Sequence, residues 1–282
     1  MDDYELIDAG GGARLERFGE HVVDRPHGGA FADRRAPERW AEADLRFDRD
    51  AGWTGSGVIA ALAGWTIQYH GLTLELRPTD AGQVGIYPEH GDQVPWLRDK
   101  VVARRLNGRA VEVLNLFAYT GLTTLAAARD GASVTHVDAS RPAVAWGRRN
   151  AAANALEDRP VRWIVDDVRT YVDREVRRGR RYDGIVLDPP TYGHGTAKSA
   201  WRLDDDLPDL LESCARLLVP DGFVLLTAHT EGYGPERLGD LVYDAIGRER
   251  PPAAYGWGDM EIPTAAGDVL TLGAFATFDW RG

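Results

Sequence analysis

The segment Val113-Leu114-Asn115-Leu116-Phe117-Ala118-Tyr119-Thr120-Gly121 determines the predicted fold class of this chain. Its first half, with the two residues before it, is an apolar run of strand length. Leu122, Leu125 and Ala126 follow at helical spacing, so a turn ending in Gly121 joins a strand to a helix. A glycine at a helix start lets the backbone approach a ligand closely. The segment therefore predicts a strand, a ligand-facing turn and a helix.

Strands and helices continue to alternate after this segment. Four further runs are predicted to be strands: Ser133–Val137, Val161–Val165, Ile185–Leu187 and Phe223–Leu226. Strands that alternate with helices of about 10–15 residues predict an α/β fold with a doubly wound, mostly parallel, Rossmann-like sheet. Ligands bind such sheets outside the carboxyl ends of the strands. The residues directly after the strands are therefore the candidate site.

Three local patterns predict where elements of this region begin and end. Ser140 is predicted to cap a helix that has Pro142 in its first turn. Asp206 and Pro208 are predicted to begin another helix. The range 269–278 is predicted to close the chain as a β-hairpin arm.

The first third of the chain has a different pattern, with short β-like runs rich in Gly, Trp and Asp. Trp65–Tyr69 and Leu72–Leu76 alternate with period two around His70-Gly71, which predicts a hairpin. Val84–Pro88 is predicted to be another short strand. We therefore expect two domains, a small N-terminal β-rich module over 1–95 and the alternating α/β domain over 96–282.

Composition excludes several classes of protein. The chain has 282 residues, with 33 Lys and Arg against 44 Asp and Glu, a net charge of −11. Its 44% of hydrophobic residues exclude intrinsic disorder as the main state. The acidic balance argues against a protein that coats nucleic acid non-specifically.

The cysteines, the histidines and the distribution of apolar residues predict the metal content and the cellular location of the protein. A single cysteine, Cys214, permits neither an internal disulfide nor a cysteine-rich zinc site. The seven histidines are scattered, so we expect no metal. An acidic N-terminus and the lack of a long apolar run predict a cytoplasmic protein without a membrane span.

Acidic residues follow the second and third predicted strands of the alternating region. Asp138 comes directly after the second strand, where a carboxylate can accept hydrogen bonds from both ribose hydroxyls of an adenosine. Asp166-Asp167-Val168 follows the third strand, where a carboxylate can accept from an adenine amino group. Helix capping is the alternative interpretation of these acids.

The fourth predicted strand ends in Asp188-Pro189-Pro190-Thr191-Tyr192. Two prolines fix the backbone and keep it out of the following helix. A rigid Asp-Pro-Pro turn beside an aromatic ring can hold a planar base by hydrogen bonding and stacking.

The turn after the first predicted strand, Phe117–Gly121, lacks the G-x-G-x-x-G pattern of dinucleotide-binding proteins. This disfavours a nicotinamide cofactor, and with it an oxidoreductase.

Together these features resemble the class I S-adenosylmethionine-dependent methyltransferases. The motifs are similar to those of the bacterial large-subunit ribosomal RNA methyltransferase family, with its cytosine-C5 and guanine-N7 enzymes, and to those of less characterised relatives of that family. The resemblance covers nearly the whole chain and rests on these segments: Tyr4–Gly10, Gly85–Glu89, Val113–Gly121, Val137–Ser140, Asn150 with Asn154, and Asp188–Gly193.

The resemblance implies a role for each matching position. S-adenosyl-L-methionine is the implied cofactor, and a base in RNA, with ribosomal RNA favoured, is the implied substrate. The implied cofactor-binding residues are Phe117, Ala118, Tyr119, Thr120 and Gly121 around the methionine part, Asp138, Ala139 and Ser140 at the ribose, Asp166, Asp167 and Val168 at the adenine, and Tyr87, Pro88 and Glu89 closing over the site. The implied residues at the methyl acceptor are Asp188, Pro189, Pro190 and Tyr192.

One departure from the family bears on the chemistry. Its cytosine-C5 enzymes have a cysteine just past the fifth strand, where this chain reads Thr227-Ala228-His229-Thr230. Cys214 lies in an apolar helical stripe and is predicted to be a core residue. Transfer to nitrogen or oxygen needs a proton acceptor instead, for which Asp188, His229 and His194 are candidates.

Two other functions stay open. The acidic charge, and the lack of an evident separate RNA-binding domain, favour a methyltransferase of a small molecule or protein. A non-catalytic protein that binds an adenosine ligand is the second alternative. Basic residues do cluster before the fourth strand and in an earlier helix, where we expect a solvated face balanced by acids: Arg174, Arg177, Arg178, Arg180 and Arg181, and Arg148 and Arg149.

Overall fold

The computed structural model describes residues 2–193 and 200–281. These form two compact units, described in turn below. Unit 1 comprises Met1–Gly91 with Glu261–Leu272, and unit 2 comprises Asp92–Met260 with Gly273–Gly282. The expected domains, 1–95 and 96–282, stay a prediction. Among the described residues, no helix is long and apolar enough to cross a membrane.

Unit 1 is built mainly from β-structure. Its five-stranded sheet has the order β1-β2-β3-β4-β5, and only β3 and β4 pair in parallel. The strands are β1 (Tyr4–Gly10), β2 (Ala13–Phe18), β3 (His21–Pro26), β4 (Leu45–Asp48) and β5 (Gly52–Thr54), and the hairpin strands are β6 (Trp65–Tyr69) and β7 (Leu72–Leu76). The short helices are α1 (Val58–Leu62) and the 3₁₀ turns Pro37–Glu42 and Pro88–His90.

The predicted hairpin is confirmed, and the predicted strand after it is wrong. His70 and Gly71 both have positive φ, 49° and 72°, as tight hairpin turns with the right twist require. Val84–Pro88 forms no strand because Gly85, at φ 107°, interrupts the extended run and Pro88 begins a 3₁₀ turn.

Unit 2 contains a seven-stranded sheet with helices on both faces, except that residues 261–263 and 269–272 of its last two strands belong to unit 1. Its strands are β8 (Glu112–Leu116), β9 (Ser133–Asp138), β10 (Val161–Val165), β11 (Tyr182–Leu187), β12 (Leu218–Ala228), β13 (Ala254–Pro263) and β14 (Val269–Asp279). Its helices are α2 (Gln93–Leu106), α3 (Leu122–Arg129), α4 (Arg141–Ala153), α5 (Val168–Arg177), α6 (Leu203–Leu217), α7 (Pro235–Val242) and the π-helical turn Tyr243–Gly247.

The order of these strands confirms the predicted doubly wound sheet. It is β10-β9-β8-β11-β12-β14-β13, in which the first five strands are parallel and β14 runs antiparallel to β12. The chain moves outward from β8 to β10 and then returns to place β11 beside β8. This reversal opens a crevice at the carboxyl ends of β8 and β11, where ligands bind in such sheets.

Alternation along the buried strands separates two apolar cores. Leu114 and Leu116 of β8 pack with α5 and α6 on one face, while Val113 packs with α2 and α3 on the other. Cys214 belongs to the first core, so its prediction as a core residue is confirmed.

One predicted helix start is wrong. Helix α6 begins at Leu203, so Pro208 lies inside it rather than at its start. The Asp206 carboxylate accepts from the backbone N–H of Arg202 at 2.7 Å, which satisfies a donor just before the helix and places the start a turn earlier.

Candidate active site

The turn after β8 has an unusual backbone. Phe117 and Tyr119 have φ of 55° and 48°, and Gly121 has φ of 93°. Positive φ is uncommon for residues with a side chain and costs on the order of 1–3 kcal/mol where the surroundings enforce it. Such conformations cluster at ligand sites, so this turn is a candidate ligand contact.

Hydrogen bonds hold the turn from three sides. The backbone N–H of Tyr119 donates to Asp138 Oδ2 at 2.8 Å, and that of Ala118 donates to the Val137 carbonyl at 3.1 Å. The Asn150 side chain donates to the Thr120 carbonyl at 3.0 Å from α4. The strained turn is therefore fixed before any ligand arrives.

A polar network that the sequence did not predict underlies this turn. Asn115 donates to the hydroxyls of Thr123 and Thr124, both at 2.8 Å, and Thr124 Oγ1 lies 2.9 Å from Nδ1 of His136. His136 is fully buried, and burial lowers the pKa of its imidazole to about 3. The ring is therefore neutral at pH 7, and Thr124 can donate to its Nδ1 because it already accepts from Asn115.

Asp138 is the last residue of β9 and lies beside the turn. One of its oxygens accepts from Tyr119 and the other from the backbone N–H of Ser140 at 2.8 Å. Burial raises the pKa of this carboxyl, and the two N–H donors partly oppose that shift. Ser140 also caps α4 by accepting from the N–H of Ala143, as predicted, and Ala139 is exposed between them. A carboxylate fixed in this way keeps lone pairs for an incoming hydroxyl.

The acids after β10 have local partners. Asp167 caps α5, since its Oδ1 accepts from the N–H of Thr170 at 3.0 Å. Asp166 accepts from Arg174 Nη2 at 2.8 Å, and Val168 is buried in the core. The helix-capping alternative thus describes Asp167, while contact of these residues with an adenine stays a prediction.

Asp188 stands at the end of β11, on the other side of the crevice. Its Oδ1 accepts from the Thr227 hydroxyl at 2.7 Å and lies 3.4 Å from Nε2 of His229. Both partners come from the end of β12, the neighbouring strand. Asp188 and His229 are each about a quarter exposed, at 22% and 28%, so a ligand can reach them.

The two prolines begin a turn that leads back toward the first one. Pro189 is buried and Pro190 exposed, and the Pro190 carbonyl accepts from Trp201 Nε1 at 2.7 Å. The Trp201 ring contacts that of Phe117, with centroids 4.9 Å apart. Tyr192 is 75% exposed, so its ring is available to stack on another molecule. The structure thus brings the first turn and the proline turn together.

Four predicted site residues lie outside the described part of unit 2. Tyr87, Pro88 and Glu89 lie in unit 1, where the Pro88 carbonyl accepts from the Tyr69 hydroxyl at 2.6 Å. Their closing over the site stays a prediction. His194 lies outside the described residues.

Three arginines of the cluster before β11 are paired with acids. Arg174 binds Asp166, Arg178 binds Glu175 at 2.9 Å, and Arg180 binds Glu112 at 2.9 Å. These pairs agree with the predicted solvated, charge-balanced face.

The doubly wound sheet, the acid at the end of its second strand and the Asp-Pro-Pro turn at the crevice are the features in which this chain resembles the class I methyltransferases. Residues 27–271 match the profile of the family described as S-adenosylmethionine-dependent methyltransferase. The chain belongs to this family.

Individual relatives agree with this assignment. A crystal structure of the SAM-dependent methyltransferase from Agrobacterium tumefaciens is 35% identical, with a TM-score of 0.90 over 99% of this chain and 91% of that one. A solved structure from Streptococcus mutans has a TM-score of 0.73 at 17% identity, covering 98% of this chain and 75% of that one, which bears on the fold alone.

The curated relatives are longer proteins. "Ribosomal RNA large subunit methyltransferase K/L" of Hahella chejuensis is 30% identical over 166 residues, 58% of this chain and 22% of that protein. The protein of the same name from Allochromatium vinosum is 29% identical over 218 residues, 71% of this chain and 28% of that protein. The chain thus matches only about a quarter of their length.

Proposed function

We propose that the chain transfers the methyl group of S-adenosylmethionine to a nitrogen or oxygen of a base in RNA, with ribosomal RNA the favoured substrate. The Asp188 carboxylate, set in a rigid turn with Thr227 and His229, is the observation that carries this proposal. The names of the curated relatives support the choice of substrate. A cytoplasmic location, where ribosomal RNA is found, is part of the proposal.

The residues on the β8 and β9 side fit the cofactor. In the proposal, Phe117–Gly121 surround its methionine part, Asp138 accepts from the ribose hydroxyls, and Asp166–Val168 line the adenine. The fit rests on Asp138, whose half-buried carboxylate two N–H groups already orient. When bound, the cofactor supplies an electrophilic methyl group on a sulfonium.

The residues on the β11 and β12 side would serve the methyl acceptor. Methylation of an N–H or O–H group releases a proton, which a nearby base must take. Asp188 lies beside His229, so a proton taken by the carboxylate has a second acceptor 3.4 Å away. Tyr192 would stack on the base, and Pro189 and Pro190 would keep the turn rigid.

The position of the only cysteine supports this chemistry over carbon methylation. Methylation at cytosine C5 requires a thiolate that adds to the ring. Cys214 is 1% exposed in the core, and burial raises the pKa of its thiol to about 12. A buried, protonated thiol cannot form that adduct.

The test is transfer of a labelled methyl group to ribosomal RNA from cells that lack this protein. Asp188→Asn removes the proton acceptor and should lower kcat about 100-fold or more while leaving affinity for S-adenosylhomocysteine unchanged. Asp209→Asn on the exposed face of α6 is the matched control and should be neutral. No transfer by the wild-type chain to any RNA, or equal rates for both variants, would overturn the proposal.

Methylation of a small molecule or protein is the second candidate, and the net charge of −11 favours it. The salt dependence of RNA binding separates the two. A protein that contacts several phosphates loses affinity steeply between 50 and 200 mM salt, on the order of 10³-fold for six contacts. A flat dependence would favour the second candidate.

A further inference from the structure

Trp201, in unit 2, contacts both of the turns that border the crevice. Its Nε1–H donates to the Pro190 carbonyl at 2.7 Å, and its ring lies 4.9 Å from the ring of Phe117 at an interplanar angle of 59°. The side chain is buried, so its one polar group needs the partner that Pro190 supplies. No sequence pattern identified Trp201 as a site residue. Its contacts join the proline turn to the turn after β8.

The segment after the proline turn is also held against Trp201. The Gly193 N–H donates to the Trp201 carbonyl at 3.0 Å, and Tyr192 and Arg202 form an isolated antiparallel bridge. Glycine permits this close approach, because a Cβ at position 193 would lie 2.8 Å from the Cβ of Trp201. The position of Trp201 therefore fixes the course of the chain from Pro190 to Gly193, which includes the exposed ring of Tyr192.

A third contact reaches Trp201 from α5. The Arg169 guanidinium carbon lies 5.9 Å from the centre of a Trp201 ring, within the range of a cation–π interaction. Arg169 is itself held by Asp206 at 2.8 Å and by Asp167 at 3.4 Å. The indole is thus confined by groups from the segments that follow β8, β10 and β11. A side chain confined in this way can move little without moving the turns that it contacts.

We propose that Trp201 is a positioning residue for methyl transfer, which holds the proline turn in register with the turn after β8. This inference rests on the proposed function, in which the turn after β8 binds the cofactor, while Asp188 and Tyr192 meet the acceptor base. Transfer needs the acceptor atom close to the methyl carbon, and a misplacement of about 1 Å can cost on the order of 100-fold in rate. Because different turns bind the two reactants, the contact between the turns sets their alignment.

The test compares Trp201→Phe with Trp280→Phe, which is a matched control. Trp201→Phe keeps an aromatic ring but removes the N–H that donates to the Pro190 carbonyl. Trp280 is also buried, and its indole N–H donates to the backbone carbonyl of Arg250. It follows β14, which runs antiparallel to β12, so it lies at the end of the sheet opposite the crevice. Both variants lose the same kind of hydrogen bond, so a general loss of stability is common to them.

We expect Trp201→Phe to lower kcat for ribosomal RNA about tenfold or more, with affinity for S-adenosylhomocysteine unchanged within about twofold. Trp280→Phe should keep kcat at a temperature where both variants are folded. Gly193→Ala keeps the indole but displaces it, and should lower kcat in the same direction. Equal kcat for the two tryptophan variants, or a loss confined to cofactor affinity, would overturn the positioning role. If Trp201→Phe does not fold, Gly193→Ala against Trp280→Phe decides.

Hydrogen–deuterium exchange separates failure of this role from failure of the proposed function. Relative to the wild type, Trp201→Phe should speed exchange of the backbone N–H groups of residues 117–121 and 191–193 about tenfold, because the contact that holds both turns is weakened. Trp280→Phe should leave exchange in both segments unchanged. A wild-type chain that methylates no RNA would overturn the proposed function and leave exchange to decide whether Trp201 links the turns. Unchanged exchange in Trp201→Phe would overturn that link.

Discussion

Asp138 and Asp167 lie at the carboxyl ends of neighbouring parallel strands of one sheet, yet they make different contacts. Asp138 binds the backbone of the turn after β8, 19 residues before it in the chain, whereas Asp167 binds the first turn of its own helix. Strand β9 adjoins β8 at the crevice, while β10 is the outermost strand. Position in the sheet, rather than residue type, therefore separates an acid that holds the turn after β8 from one that caps its own helix.

The largest expected difference between these acids is in cofactor affinity. Asp138→Asn keeps the shape of the side chain but removes its negative charge, which strengthens the hydrogen bonds that it accepts from ribose hydroxyls. A hydrogen bond to a charged group contributes about 1.5–3 kcal/mol. We expect S-adenosylhomocysteine to bind roughly 10- to 100-fold more weakly, as measured by titration calorimetry. Asp167→Asn should change the affinity by no more than a few-fold. Equal losses at both positions would show that the two acids share one role.

Sequence patterns were sufficient to find these acids but not to separate them. Strand length and apolar runs predicted the sheet, and an acid at a strand end was visible in each case. The partner of Asp138 was not visible, because the N–H of Tyr119 becomes available only when Phe117 and Tyr119 adopt positive φ. Nothing in the local pattern predicted that.

The sequence patterns also failed to predict which polar residues are buried. His136 lies in a strand whose neighbours are apolar, and its role appears only when Thr124 packs against it from α3. Arg14 and Glu16 alternate with an apolar residue in β2, a pattern typical of a strand with one solvated face, but both are buried. Burial on both faces of a strand depends on what packs there, which a single strand does not reveal.

A smaller difference is expected in stability. Asp167→Ala removes the side-chain acceptor for the N–H of Thr170 and should lower the free energy of unfolding by about 1 kcal/mol. Asp167→Asn should be nearly neutral, because asparagine is as good a helix cap as aspartate. Urea unfolding measures both. A loss with Asn as large as the loss with Ala would mean that charge, rather than capping, is what Asp167 contributes.

The smallest effect is the pH dependence of cofactor binding, which again distinguishes Asp138. Burial raises the pKa of this carboxyl, so in the folded chain it takes up a proton at a higher pH than an ordinary aspartate does. Ionisation therefore costs the folded state stability as pH rises from the ordinary pKa to the raised one. Affinity for S-adenosylhomocysteine should be constant near neutral pH and fall a few-fold as pH falls toward the raised pKa. Asp138→Asn should remove that decline, while Asp167→Asn should keep it; a decline that persists in Asp138→Asn would assign the titration to another group.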